Sequence, residues 1–264
     1  MGNSPSIPLR VNILGVGVSA INMEQALEVI EGWIERGERH YVCVTNMHGV
    51  MESWRDEGLR RIHNSSGLTT PDGMPLVWLS RLKGFRWVDR VCGPDLLLAL
   101  CERFITKGYK HFFYGGAPGV PERLAERLVV RFPGLKVVGT FSPPFRPLTP
   151  EEDEDVVRMI NEASPDILRV GLGAPKQERW MAEHRDRLQV PVMIGVGAAF
   201  DFHSGVKRQA PRWMQRAGLE WLFRLCQEPR RLWRRYLLNI PRFLCLVIAQ
   251  ELGIIRCEPD DGKG

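Results

Sequence analysis

Asp166–Ile167–Leu168–Arg169–Val170–Gly171 runs straight into Leu172–Gly173–Ala174–Pro175, and Lys176–Gln177–Glu178 follows. The first six residues read as a strand and the glycine–proline stretch as a turn. Gln177–Arg187 reads as a helix, and Val192–Val196 as the next strand. Strand, turn, helix and strand in that order make the repeating unit of a parallel sheet. The alternation extends upstream. Val11–Val16, His40–Thr45, Gly67–Thr70, Lys110–Tyr114 and Lys136–Thr140 read as strands. Met23–Arg36, Gly49–His63, Pro94–Lys107 and Val120–Arg131 read as helices. Asn22 is placed to cap the first helix, and Thr149–Pro150–Glu151–Glu152 opens another that runs to about Ala163, with a cap, an N1 proline and an acidic first turn. This order predicts an α/β fold with a parallel sheet covered by helices on both faces. After Gly205 the strands stop and Trp- and Arg-rich helical segments begin. The expected division is a core over residues 1–205 and a helical appendage over 206–264.

Composition sets the class of partner. Of 264 residues, 44% are hydrophobic and 25% charged, enough for a packed core and against gross disorder. The net charge of +5 is unevenly spread: Val206 to Arg242 holds nine arginines and Lys207 against only Glu220 and Glu228, which leaves the rest of the chain slightly acidic. A basic patch confined to one end calls for a local anionic partner: phosphate, phospholipid or nucleic acid. Six cysteines without a CxxC pair fit reduced core thiols. Met1–Gly2–Asn3–Ser4–Pro5–Ser6 leads into no signal-peptide apolar run, and its likeness to an acylation pattern is short. The apolar run Phe243–Ala249 falls far short of the roughly 20 residues that span a bilayer, so membrane association is expected to be peripheral.

Three glycine turns follow strands: Gly115–Gly116–Ala117–Pro118–Gly119, Gly171–Leu172–Gly173–Ala174–Pro175 and Gly195–Val196–Gly197–Ala198–Ala199. Glycine at strand ends lets backbone N–H groups approach a diphosphate beside a helix N-terminus, so a nucleotide or phosphate ligand is favoured over ordinary connections. Gly15–Val16–Gly17–Val18–Ser19–Ala20 imitates a dinucleotide fingerprint, but the second strand ends in Thr45–Asn46–Met47–His48 rather than an acid. Asp153–Glu154–Asp155 imitates a metal-binding DxD, yet sits where a helix start favours acids. The six histidines are unclustered, so no metal site and no cofactor are expected. Thr70–Pro71–Asp72–Gly73 sets a carboxylate between rigid neighbours. It is either a turn residue or a base able to take a proton from an acceptor hydroxyl. Lys176–Gln177 at a helix start and Asp201 after Phe200 are candidate ligand contacts or caps. In the last segment Arg224, Arg231 and Arg235 recur at seven and four, with Arg234 beside them, and Trp, Tyr, Phe and Leu between. Arginine suits bidentate phosphate contacts, and the aromatic interleaving suits an interfacial helix, although Pro229 threatens its geometry.

In their joint order these motifs resemble the WecG/TagA/CpsF family of glycosyltransferases (family 26). Arg90–Val91–Cys92–Gly93–Pro94–Asp95–Leu96, Lys207–Arg208–Gln209–Ala210–Pro211–Arg212–Trp213–Met214 and the run from Glu220–Trp221 to Arg235 complete the likeness. The resemblance implies a Rossmann-like sheet with a membrane-docking helical appendage. It implies inverting, metal-independent transfer from a UDP-sugar (an amino-sugar, uronic acid or hexose) to a polyprenyl-diphosphate-linked saccharide in cell-surface polysaccharide synthesis, on the inner face of the bacterial cytoplasmic membrane. Asp72 falls on the family's base. Asn46, Arg90, Gln177 and Asp201 fall on its donor pocket, to which the motifs add Gly93, Asp95, Gly115, Gly116, Gly173, Lys176 and Phe200. Arg224, Arg231 and Arg234 fall on arginines that meet the lipid diphosphate, and Arg208, Arg212 and Arg235 join them as expected anion contacts. Many relatives carry Thr-x-Asn where this chain has Thr45–Asn46, and Gly-Ser-Asp where it has Gly93–Pro94–Asp95. A nucleotide-sensing module that binds nucleic acid through the basic helices is the alternative, opposed by the absence of a helix-turn-helix signal. Self-association and the identity of the donor sugar are left open by the sequence.

Overall fold

The computed structural model describes residues 8–259, the side chains of Arg231 and Arg235 excepted. The acylation-like start and those two side chains lie outside the described residues. The chain begins with a hairpin where one strand was expected: β1 (Arg10–Ile13) and β2 (Val16–Ser19) pair antiparallel. Leu14 (φ 52°) and Gly15 (φ 84°) make the two-residue turn, and positive φ at both positions is what such a turn requires. The dinucleotide-like glycines therefore sit in a hairpin outside the main sheet.

Six further strands form that sheet, all parallel: β3 (His40–Thr45), β4 (Leu68–Pro71), β5 (Lys110–Gly115), β6 (Lys136–Phe141), β7 (Ile167–Gly171) and β8 (Val192–Gly195). Their order is β4-β3-β8-β7-β5-β6. The strands are apolar on both faces, as a doubly covered sheet requires. Val42, Phe113, Ile167 and Ile194 pack on one side under α1 (Met23–Arg36), α5 (Gly93–Phe104) and α6 (Val120–Arg131). Cys43, Phe112, Leu168 and Met193 pack on the other under α7 (Pro150–Ala163) and α8 (Lys176–His184). Asn22 closes a capping box with Gln25 at the start of α1, and Thr149 does the same with Glu152 at α7.

The helix expected over 49–63 is two, α2 (Met47–Arg55) and α3 (Glu57–Ser65). Asp56 divides them: its backbone is extended, its N–H closes α2 on Glu52, and its carboxylate caps Leu59. A helix that the sequence reading left unassigned, α4 (Met74–Leu82), starts immediately after Asp72–Gly73.

Beyond α9 (Ala199–His203) lie α10 (Arg212–Arg216), α11 (Glu220–Gln227) and α12 (Pro229–Glu251). Pro229 starts α12 rather than breaking a longer helix, a position where its missing N–H costs nothing. α12 leans back on the body. Phe243 and Val247 join Val11, Ile13, Val50, Leu76 and Val77 in a third apolar cluster. Arg55 donates to Asn239 at 2.6 Å, and Lys83 pairs with Glu251 at 2.5 Å. Among the described residues no helix is long and apolar enough to cross a membrane.

One core position goes against the pattern. Arg169, in the middle of β7, has 0% exposure. Its Nε and Nη1 find no hydrogen-bond partner among the described residues, and Nη2 lies 3.4 Å from His111 Nδ1. Burial lowers the Arg169 pKa to about 10 and drives His111 toward its neutral form. Taking a cation out of water without a counterion is costly. Arg169→Met should therefore stabilise the fold by about 1–4 kcal/mol, read as a rise in thermal or urea midpoint. An unchanged or lower midpoint would show that the cation is compensated.

Candidate active site

The carboxyl ends of the parallel strands meet at one edge of the sheet. β7 leads into α8 on one face and β8 into α9 on the other, so the connections part there and leave a crevice, the usual ligand position in open α/β sheets. Its floor is glycine. A Cβ on Gly115 would lie 2.6 Å from the Gly171 backbone, and Gly116 N–H donates to Gly171 O at 3.0 Å. The β5 and β7 turns can touch only because neither carries a side chain there. Phe200 lies beneath both, buried against Gly116 and Gly171 and edge-on to Phe113. Of the residues expected in the donor pocket, Phe200 therefore builds the floor rather than facing the crevice. At Gly93 a Cβ would come 2.8 Å from Val196 O, so the start of α5 abuts the β8 turn. Gly173 has φ 78° with open space beside it.

Asp72 stands at the end of β4. Its N–H donates to Thr45 O at 2.8 Å, tying it to the neighbouring strand. Asn46 caps α2 through Oδ1, which accepts from His48 and Gly49 N–H, and turns its Nδ2 toward Asp72 Oδ2 at 3.5 Å. The Arg90 guanidinium is the hub. Nε donates to Asp72 O at 2.6 Å, Nη1 to Gln215 Oε1 at 2.7 Å and Nη2 to Glu220 Oε2 at 2.6 Å. Nη2 is 3.6 Å from Asp72 Oδ1. Burial raises the Asp72 pKa above the ordinary carboxylate range; Arg90, Arg224 and Asn46 oppose that and Asp95 adds to it. Glu220 is raised in the same way, by burial first and then by the Asp72 charge.

Asp95, on the first turn of α5, accepts from the Cys92 thiol at 3.2 Å and from Arg212 Nη1 at 2.8 Å. Asp201 pairs with Lys207 at 3.1 Å, and Lys207 reaches Glu228 at 3.5 Å. Arg224 and Lys207 line a small cleft with Ala198, Phe202 and Leu232. Gln177 is buried at the start of α8, donates Nε2 to Glu178 at 2.9 Å, and leaves Oε1 without a partner among the described residues. Lys176 and Arg208 are exposed, and Arg234 lies on the outer side of α12 over the Trp233 ring at 5.2 Å. The structure thus gathers Asn46, Arg90, Asp95 and Arg224 around the Asp72 carboxylate, holds Arg212 on Asp95, sets the glycines and Gln177 along the same sheet edge, and leaves Arg208 and Arg234 outward. The Asp153–Glu154–Asp155 acids are taken up by His184, Arg187 and Arg158.

Gln215 and Glu220 were not expected in the site. Glu220 carried a readable signal as one of two acids in a strongly basic stretch; Gln215 carried none.

A family model described as the glycosyl transferase WecG/TagA/CpsF family matches residues 11–256. The chain is 30% identical over 219 residues, 83% of its own length and 82% of the relative's, to the N-acetylglucosaminyldiphosphoundecaprenol N-acetyl-beta-D-mannosaminyltransferase of Bacillus spizizenii. It is 30% identical over 230 residues to the protein of that name from Bacillus subtilis, covering 84% of this chain and 87% of that one. It is 26% identical over 237 residues to the one from Staphylococcus aureus, with 89% and 91% covered.

Arg90 joins α10 and α11 to the sheet, so Arg90→Ala should loosen them together. Amide exchange across 212–227 is expected to rise about tenfold or more relative to the sheet, since Gln215 and Glu220 lose a charged partner. Unchanged exchange there would mean that other contacts hold the helices.

Proposed function

Because this chain belongs to the WecG/TagA/CpsF family of glycosyl transferases and is itself a glycosyltransferase, we propose that it moves a sugar from a UDP-sugar to an acceptor sugar on a polyprenyl diphosphate, with inversion, without a metal, and with Asp72 as base. The observation that carries the reading is the fixed carboxylate of Asp72 on the rim of the glycine-floored crevice, between Asn46 and Arg90. The acceptor hydroxyl approaches the anomeric carbon from the face opposite UDP. Asp72 takes its proton as the new C–O bond forms and the bond to the UDP oxygen breaks. Negative charge gathers on the departing diphosphate. Backbone N–H groups at the glycine turns, the start of α8 and the Arg224 guanidinium are the donors assigned to it. The relatives' names make an N-acetylmannosaminyl donor and a GlcNAc-diphosphoundecaprenol acceptor the first pair to assay.

A polyprenyl acceptor is presented at a membrane surface, and α12 is suited to that surface. Leu232, Tyr236, Phe243 and Val247 face inward, while Trp233, Leu237, Leu244 and Ile248 stand exposed along the outer side. Arg230, Arg234 and Arg242 flank that stripe, as on helices that rest among anionic headgroups.

Asp72→Asn should lower turnover by about 10²–10⁴-fold while leaving UDP affinity nearly unchanged. Full activity in that variant would remove Asp72 from the chemistry. For the surface, Leu244→Glu with Ile248→Glu should cut co-sedimentation with phosphatidylglycerol vesicles by about tenfold or more, because each buried aliphatic side chain contributes about 1.5–3 kcal/mol. Equal sedimentation of wild type and variant would place docking elsewhere.

A further inference from the structure

Arg90 and Asp72 are close enough to form the strongest arrangement available to them, a forked guanidinium–carboxylate pair. They do not form it. Nε is spent on the Asp72 main-chain carbonyl, Nη1 on Gln215, and Nη2 on Glu220 at 2.6 Å. The remaining approach, Nη2 to Asp72 Oδ1, is 3.6 Å, outside hydrogen-bond range. The group that holds the guanidinium away is therefore a carboxylate on α11, 130 residues further along the chain. Arg90 and Glu220 are both largely buried, with side-chain exposures of 13% and 24%, so the contact is not a solvated surface pair.

We infer that Glu220 is a positioning residue for the base: by claiming Nη2 of Arg90 it keeps that cation off the Asp72 carboxylate, and it does so only while α10 and α11 are docked on the sheet. This rests on the reading of Asp72 as base. A carboxylate clamped by a forked arginine is held strongly ionised and is a poor proton acceptor, with a pKa depressed by about 1–3 units. A carboxylate bordered by a second anion, with its cation turned aside, keeps its basicity. The charged and titratable groups facing Asp72 divide accordingly. Arg90, from the segment before α5, and Arg224, from α11, hold its pKa down. Asp95, from α5, raises it, and the Asp72 charge in turn raises the Cys92 thiol and Glu220. Asn46, at the start of α2, is the neutral partner. Of the two anionic side chains among these neighbours, Glu220 is the one that also binds the guanidinium. The helices that bear the anion-binding arginines thus carry the residue that readies the base, so docking of the appendage and basicity of Asp72 are linked through one contact.

Glu220→Gln tests this. The amide is isosteric but no longer competes as an anion for Nη2. Two changes then act in one direction: the guanidinium relaxes toward Asp72 Oδ1, and a neighbouring negative charge disappears. Both lower the Asp72 pKa. Activity that needs ionised Asp72 falls on the acid side of that pKa, so the acid limb of the kcat/KM–pH profile should move to lower pH by about one unit. The plateau kcat should fall several-fold as the base weakens. Glu220→Asp keeps the anion and should return the limb toward its wild-type position, and a wild-type melting transition in each variant establishes that it is folded. A limb at the same pH in wild type, Glu220→Gln and Glu220→Asp would overturn the inference. Asp72→Asn separates the two levels: if it retains the acid limb, the base assignment fails; if it loses the limb while Glu220→Gln leaves it in place, only the role of Glu220 fails.

Discussion

The guanidinium of Arg90 ties the strand end that carries Asp72 to the helices α10 and α11. Its Nε fixes the main chain of the strand-end loop that carries Asp72, and its two Nη atoms hold Gln215 and Glu220 from the helices beyond the sheet. Arginine suits the position because its planar fork addresses three acceptors in fixed directions while staying charged. The arrangement also constrains its surroundings. Two carboxylates share one buried cation, so each competes with the other for the same guanidinium. The local sequence is accordingly tied to the distant one.

The sheet supplies what side chains alone could not. Parallel strands end together, and their glycine turns bring backbone to backbone at Gly115 and Gly171, with Phe200 filling the space beneath. The floor there is glycine main chain rather than side chain. A site for a diphosphate leaving group can then gain its positive potential from fixed dipoles and arginines, in the reaction proposed for this family member. α12 adds the outer face, apolar and basic, on which a lipid-borne acceptor would be met.

Much of the scaffold was legible because its signals are local. Asn22 with Gln25 and Thr149 with Glu152 announce α1 and α7 by capping geometry, and β3, β5 and β7 stand out as short apolar runs closed by polar or glycine turns. The failures were local too. Leu14 in a left-handed conformation hid a hairpin turn that an asparagine would have advertised, and Asp56 read as a helix residue although its side chain ends one helix and caps the next. Of the candidate site, Asn46, Asp72 and Gln177 could be proposed from the sequence because they follow directly from where strands stop. The Arg90–Glu220 contact was not, because spacing cannot report a meeting between residues 130 apart in sequence. A motif likewise shows that a residue matters near a ligand, not whether it faces the ligand or, as Phe200 does against Gly116 and Gly171, packs on the backbone.

In the proposed reaction the Asp72 carboxylate meets the attacking hydroxyl over bound nucleotide, with α11 docked through Glu220. The most direct measurement is a structure of the enzyme with UDP and a soluble GlcNAc-diphosphate acceptor analogue. The expected result is UDP against the Gly115–Gly116 and Gly171–Gly173 turns, with an Asp72 carboxylate oxygen within about 2.6–3.2 Å of an acceptor hydroxyl. Nucleotide bound at another edge of the sheet, or an acceptor hydroxyl addressed by a different side chain while Asp72 points into protein, would contradict it.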